Sequence, residues 1–417
     1  MSQEQRPRLL FVSPRFLFPA DSGGRIRTTQ VLRGLKGGAF EITLVSPAAP
    51  GDAEAHAESI SNACDRFRWW PEERNGKLRS IRRLLHLASP LPLPVADDRS
   101  EAGRRSVAAE LSTRYDVVVF DFPHATVLAP PSMSQASVLF THNVESEIFR
   151  RHAEVATNGL MRWIWRDQLR KMLAFEVEAL RRFDVVVAVS ERDKQTFLAD
   201  FGVTNVRTIP TGVDVDYFGY AAPAEEPVVA FTGAMDWAAN IDGISFLMDE
   251  VWPLVSAKIV DAKMVVVGRN PPPALVGKAR RRGLAWAFTG FVEDVRPHVH
   301  GAAAYVIPLR VGGGTRMKVF EAMSMGCPVV STGIGVEGLP VEPDRHYLRA
   351  DNAPGFADAI VRLLQDRGLG RELSRRARDY VAAGFSFRIA ARAFEAHCLE
   401  AMALRRPVQR GVSRDAA

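Results

Sequence analysis

Short, continuous apolar runs alternate with segments of helical spacing along almost the whole chain, and this alternation constrains the fold more than any other feature. Arg8–Pro14 (RLLFVSP), Glu41–Pro47 (EITLVSP), Tyr115–Asp121 (YDVVVFD), Ser137–Asn143 (SVLFTHN), Asp184–Ser190 (DVVVAVS) and Asn205–Pro210 read as buried strands. Runs without an apolar–polar alternation are apolar on both faces, which implies a parallel sheet covered by helices on both sides. Thr211–Pro227, rich in Gly, Pro and Ala, interrupts the pattern and reads as a linker. Strands then resume at Val228–Gly233, Lys263–Gly268, Ala285–Thr289, Ala302–Leu309, Pro328–Thr332 and His346–Leu348. Two parallel-sheet domains in tandem follow, at 1–215 and 216–384. A last amphipathic segment at about 385–405 is expected to return to the first domain, and 406–417 to be a disordered tail.

At 417 residues the chain exceeds one ordinary core, as two domains require. A net charge of +6 is compatible with nucleotide, phosphate or anionic-lipid partners. Cys64, Cys327 and Cys398 are too scattered for a disulfide framework or a zinc site, so a reducing, cytoplasmic setting fits. No apolar run reaches membrane-spanning length.

The most informative stretch runs from Pro308 to Glu321 (PLRVGGGTRMKVFE). A strand meets Gly312–Gly314, and helical spacing (Met317, Phe320, Met323) begins directly after them. Unpaired amides at such a helix start suit an anion, above all a phosphate, and Thr315 is the candidate N-cap. Arg316 and Lys318 put two cations where the helix dipole disfavours them, which makes sense if an anion sits there. Glu321, about one and a half turns in, can accept hydrogen bonds from ligand hydroxyls. A phosphate beside a polyol points to a nucleotide-linked substrate.

Other motifs divide. Gly333–Gly338 fits G-x-G-x-x-G, but Leu339-Pro340 cannot open the helix that a nicotinamide cofactor needs. Asp214-Val215-Asp216 resembles a metal-carrying D-x-D pair but reads better as a turn. His142 stands at the C-terminal edge of its strand, where open parallel sheets bind ligands, and Glu145 follows. Gly23-Gly24 holds the equivalent edge after the first strand, as a tight loop or a phosphate approach. Arg66–Trp70 (RFRWW) with Lys77, Arg79, Arg82 and Arg83, and Arg162–Arg166 (RWIWR) with Arg170 and Lys171, fit either an anionic membrane surface or a solvated face with tryptophans in the core.

Taken together, Gly23-Gly24, His142, Val189-Ser190-Glu191, Ile209-Pro210-x-Gly212-Val213-Asp214, Phe288–Val292 and Phe320-Glu321-Ala322-Met323-x-x-Gly326-x-Pro328-Val329-Val330 resemble the family 4 retaining glycosyltransferases. The closest subgroup looks like the sugar transferases of exosortase and exopolysaccharide systems. The resemblance implies a GT-B fold, two Rossmann-like domains facing across a cleft, and metal-independent transfer of a hexosyl group from a nucleotide-sugar to a glycan or lipid-linked acceptor, with retention. The nucleotide-sugar would be a substrate, with no cofactor and no nucleic acid. Glu321 would bind the donor ribose, Gly313, Gly314 and Thr315 would offer amides to the sugar and diphosphate, and His142 would face the reacting sugar. Gly23 and Gly24 would approach the phosphate or the acceptor, and with Gly233 would belong to the donor-binding residues. The enzyme would be cytoplasmic and peripheral to the inner face of the membrane.

Two departures from the family pattern bear on mechanism. Gly313 stands where the family usually has a second glutamate, and Gly233–Asn240 (GAMDWAAN) lacks the usual Arg and Lys. Arg316 and Lys318 are therefore expected to supply the cationic contacts. A nucleotide-sugar epimerase of the same fold and a non-catalytic nucleotide-sugar-binding relative are the alternatives.

Overall fold

The computed structural model describes residues 6–72, 86–87, 89–156, 158–311 and 316–405. Lys77, Arg79, Arg82 and Arg83, the Gly313–Thr315 loop and the expected 406–417 tail lie outside the described residues. The chain divides into two compact units, 1–210 with 388–417, and 211–387.

The first unit holds a seven-stranded, all-parallel sheet in the order β3-β2-β1-β4-β5-β6-β7. Its strands are β1 (Arg8–Val12), β2 (Glu41–Ala48), β3 (Arg66–Pro71), β4 (Val117–Asp121), β5 (Ala136–Phe140), β6 (Val185–Ala188) and β7 (Val206–Thr208). Consecutive side chains of a strand point to opposite faces, and both faces are core. Leu9, Phe11, Val117 and Val119 belong to one apolar cluster, and Leu10, Val12, Val118 and Phe120 to the other. This is the physical content of the uninterrupted apolar runs.

The strand β3 departs from the expectation. Arg66–Trp70 forms the sheet edge beside β2, with Thr43 in register with Arg66. Trp70 is buried in the core while Trp69 stays exposed, and Arg66 pairs with Glu41 at 2.8 Å. Pairing with β2 holds this segment in the sheet and leaves Arg66, Arg68 and Trp69 exposed. A strand with arginine at every second position hides its period from a search for apolar runs.

The terminal helix Phe387–Arg405 packs on the first unit. Phe394 meets Phe140 edge-on at 4.9 Å, the Ala39 amide donates to Glu395 at 2.8 Å, and Arg207 Nε donates to Glu400 at 3.0 Å.

The second unit carries a six-stranded parallel sheet, β10-β9-β8-β11-β12-β13. Its strands are β8 (Val228–Thr232), β9 (Lys263–Val267), β10 (Trp286–Gly290), β11 (Ala304–Ile307), β12 (Val329–Ser331) and β13 (Leu348–Arg349). The expected linker already belongs to this unit. Val213 is fully buried, donates to Phe385 O at 2.8 Å and accepts from the Phe387 amide at 2.9 Å.

In each sheet the strand order reverses once, between β1 and β4 and between β8 and β11. The crevice beyond the strand ends at such a reversal is where open α/β sheets bind ligands.

Candidate functional site

In the second unit the reversal places the end of β8, with Gly233, beside the segment that follows β11. The helix Met317–Ser324 starts later than expected, and its N-cap position is Arg316, not Thr315. Lys318 lies in the first turn. Its Nζ donates to Thr232 O at 3.2 Å and to Asn240 Oδ1 at 3.3 Å, and it stands 4.5 Å from the centre of the Phe231 ring. The ammonium thus comes to the end of β8, alongside the segment Gly233–Asn240, which has no cation of its own and runs into the helix Ala238–Phe246. Burial lowers the Lys318 pKa to about 8, with the nearby Arg316 adding to the effect and Glu321 opposing it.

Glu321 follows on the same helix, half-buried. Burial raises its pKa to about 7, against the pull of Lys318. No side-chain hydrogen bond ties its carboxylate down among the described residues, which leaves it able to accept from hydroxyls. Arg316 is buried, and its Nε donates to Ile334 O at 3.2 Å. That contact reaches the Gly333–Gly338 segment, where β12 leads into a short 3-10 turn, Ile334–Val336. Gly233 is tightly enclosed: a Cβ there would lie 2.7 Å from Asn240 Nδ2. Asn240 was not singled out from the sequence, because its partner is 78 residues away. The Asp214 carboxylate accepts the Tyr217 amide at 3.0 Å, as a turn residue does.

In the first unit the residues at the reversal form a buried network. Asp121, fully buried at the end of β4, accepts from His142 Nε2 at 2.8 Å, Thr28 Oγ1 at 3.0 Å and Ser13 Oγ at 3.2 Å. The other ring nitrogen of His142, Nδ1, lies 3.4 Å from Arg27 Nη1. Burial lowers the His142 pKa, outweighing Asp121, so the ring is neutral, with Nε2–H donating and Nδ1 accepting. Phe122 stacks on the imidazole at 4.0 Å and adopts φ 69°, a strained value for a bulky side chain. Gly23 and Gly24 open the helix Gly23–Leu35 and do not form a loop before it. A Cβ at Gly24 would lie 2.6 Å from the Phe122 ring, whereas Gly23 faces open space.

The family resemblance implies that His142 faces the reacting sugar. It is 2% exposed, with Nε2 donating to Asp121, Nδ1 3.4 Å from Arg27 Nη1 and Phe122 stacked on the ring.

Residues 22–217 match the family described as Glycosyltransferase Family 4, and residues 226–366 match Glycosyl transferases group 1. The chain is a glycosyltransferase of the family 4 type. This glycosyltransferase is 23% identical over 367 residues to an uncharacterized 44.6 kDa protein in the cps region of Klebsiella pneumoniae, covering 85% of this chain and 90% of that protein. Among solved structures, sucrose-phosphate synthase from Thermosynechococcus elongatus superimposes with a TM-score of 0.68 at 19% identity, over 96% of this chain and 100% of that one. HepE of Anabaena in complex with UDP and glucose gives a TM-score of 0.66 at 14% identity, over 94% of this chain and 100% of that one. These likenesses establish the GT-B fold of the glycosyltransferase.

Proposed function

We propose that this glycosyltransferase moves a hexosyl group from a nucleotide-sugar held on the second unit to a glycan or lipid-linked acceptor held on the first, with retention and without a metal ion. The observation that carries this reading is the position of Lys318, whose ammonium lies at the C-terminal end of β8 between Thr232 O and Asn240 Oδ1. A leaving diphosphate gathers negative charge in the transition state, and a cation fixed there in advance stabilises it without reorganisation. Lys318, with Arg316 behind it, takes the role that a divalent ion or the missing Arg and Lys of Gly233–Asn240 would play. Glu321 accepts the ribose hydroxyls, and Gly313, Gly314 and Thr315 give their amides to the sugar and diphosphate. Gly233 lets Asn240 pack at the end of β8 beside the donor, and Gly23 and Gly24 let the first unit's helix start approach the substrates.

His142 is a positioning residue in this scheme. It keeps Asp121 and Phe122 in place at the acceptor edge. HepE, whose structure holds UDP and glucose, favours UDP-sugars as the first donors to test, and the cps-region relative favours a surface polysaccharide as the product. Three buried free cysteines favour a reducing, cytoplasmic setting. Exposed Leu160 and Trp163, interleaved with Arg162 and Arg166, favour peripheral contact with an anionic membrane.

A thermal-shift screen with UDP-, GDP-, ADP- and dTDP-sugars tests the donor. A true donor at 100 times its Kd adds about 2.7 kcal/mol. Product NMR then reads the anomeric configuration. No shift with any donor, or an inverted product, overturns the corresponding part of the reading.

A further inference from the structure

A cavity of about 480 Å³ lies inside the first unit, beside the C-terminal edge of its sheet. One end is polar. His124, in the turn Pro123–Leu128 after β4, has Nδ1 3.4 Å from Asp98 Oδ2 and Nε2 3.6 Å from Glu145 Oε2. Burial disfavours the charged imidazole, but the two carboxylates outweigh it and raise the His124 pKa above its ordinary value. These separations are too long for good hydrogen bonds, and His124 Nε2 and Asp98 Oδ2 are buried without a hydrogen-bond partner, with Arg15 Nη2 3.7 Å from Asp98 Oδ2. Gln168, on the same wall and 1% exposed, gives its Oε1 to the Leu93 amide at 2.8 Å and leaves its Nε2 unpartnered. Buried polar atoms normally find partners, so unmatched donors and an acceptor along one cavity mark a place for a ligand's polar groups.

Most of the remaining wall is apolar, with Leu93, Ile148, Phe149, Met161, Ile164 and Trp165 on it, and Arg15, Asn143 and His152 are its other polar residues. Of these apolar wall residues, Met161 and Ile148 are exposed. Next to Met161, at the start of the helix Gly159–Arg181, Leu160 is 65% and Trp163 67% exposed, with Arg162 and Arg166 between and after them. The apolar wall therefore runs out onto an apolar, cationic rim.

The Asp98 and Glu145 carboxylates at the polar end already face a cation, Arg15, whose Nη2 lies 3.7 Å from Asp98 Oδ2. Together with His124 and the Gln168 amide they suit hydroxyls, which donate and accept. A small free sugar would leave the apolar wall unfilled. We propose that this cavity seats the acceptor, and that the acceptor is an amphipathic alcohol, with its hydroxyls at His124, Asp98 and Glu145 and a hydrocarbon segment running past Trp165 and out over Leu160 and Trp163. Its role as the acceptor seat rests on the glycosyl-transfer reading above. The amphipathic class of the ligand rests on the cavity alone.

The test is titration of the full chain with methyl, butyl, hexyl and octyl β-glucosides below their micelle concentrations, followed by tryptophan fluorescence. Each buried methylene should lower Kd about threefold to fourfold. Met161→Glu and Ile148→Glu, at positions exposed enough to keep the fold (checked by circular dichroism), should flatten that dependence. A chain-length dependence absent from the wild type, or equally steep in both variants, overturns the proposal. A parallel thermal shift with nucleotide-sugars separates the two readings. Glucoside binding that grows with chain length, without any nucleotide-sugar shift, strikes the transfer reading and leaves the ligand class standing. The reverse pattern strikes the cavity proposal alone.

Discussion

The Lys318 ammonium donates to the carbonyl of Thr232 at 3.2 Å, tying the first turn of the helix Met317–Ser324 to the end of β8. Two segments 86 residues apart thereby share one cation. The segment Gly233–Asn240 acquires from Lys318 the positive charge that its own sequence lacks.

Removing that charge should be costly to catalysis. A charged hydrogen bond to a phosphate is worth about 1.5–3 kcal/mol, so Lys318→Ala should lower kcat/KM for the donor by about tenfold or more. Arg316→Ala should cost a similar factor and also lower Tm, because its buried guanidinium bonds to Ile334 O. Steady-state kinetics with the donor identified by thermal shift provide the check; transfer rates close to wild type in both variants would sink the cationic role.

Donor affinity should depend on pH in a defined sense. It should rise through about 7 as Glu321 ionises and fall through about 8 as Lys318 loses its proton. The stability signs follow from the same shifts. Glu321, raised from its ordinary 4.5, makes the folded state hold a proton more tightly than the unfolded chain, so its contribution falls as pH rises from 4.5 to about 7. Lys318, lowered from 10.5, does the opposite, and its contribution grows between about 8 and 10.5. Calorimetric titration of donor from pH 6 to about 9 reads the binding limbs. The alkaline limb should vanish in Lys318→Met, and its survival there would assign it to another group.

His142 should support catalysis without titrating in it. His142→Gln should lower kcat by about tenfold or more while leaving the shape of the kcat pH profile unchanged, because the native ring is held neutral. A limb that disappears in the variant would show that His142 exchanges protons after all. Its lowered pKa also means that the folded state binds fewer protons than the unfolded chain. Its share of stability should therefore be lost as pH falls below the ordinary imidazole value of about 6.5.

The two glycines of the first helix should separate sharply. Gly24→Ala pushes a methyl group to within 2.6 Å of the Phe122 ring and should cost about 1–3 kcal/mol, with a loss of activity through the strained Phe122. Gly23→Ala meets nothing and should be neutral or stabilising by up to about 1 kcal/mol. Urea denaturation of both variants decides this, and equal midpoints would count against packing as the reason for Gly24.

Much of the architecture was already legible in the residues. Continuous runs such as VVVFD and VVAFT can only be strands covered on both faces, and their alternation with helices dictates parallel sheets. The Gly-rich segment before Met317 was recognisable as a strand–loop–helix junction because three glycines end one period and begin another. Local pattern could not show β3, where the edge position places arginines on alternate residues. Nor could it show the start of the second unit, where Val213 is claimed by hydrogen bonds to Phe385 and Phe387.

By itself the sequence determined the two-sheet architecture, the resemblance to glycosyltransferases and the identity of the cations available to a phosphate, since period and composition are local properties. Only the tertiary structure decided where those groups point. It turned His142 inward onto Asp121, carried Lys318 to Thr232 and Asn240, and enclosed His124, Asp98 and Glu145 in a cavity. Each of these contacts joins residues brought together by strand order and burial, and neither can be read from spacing along the chain.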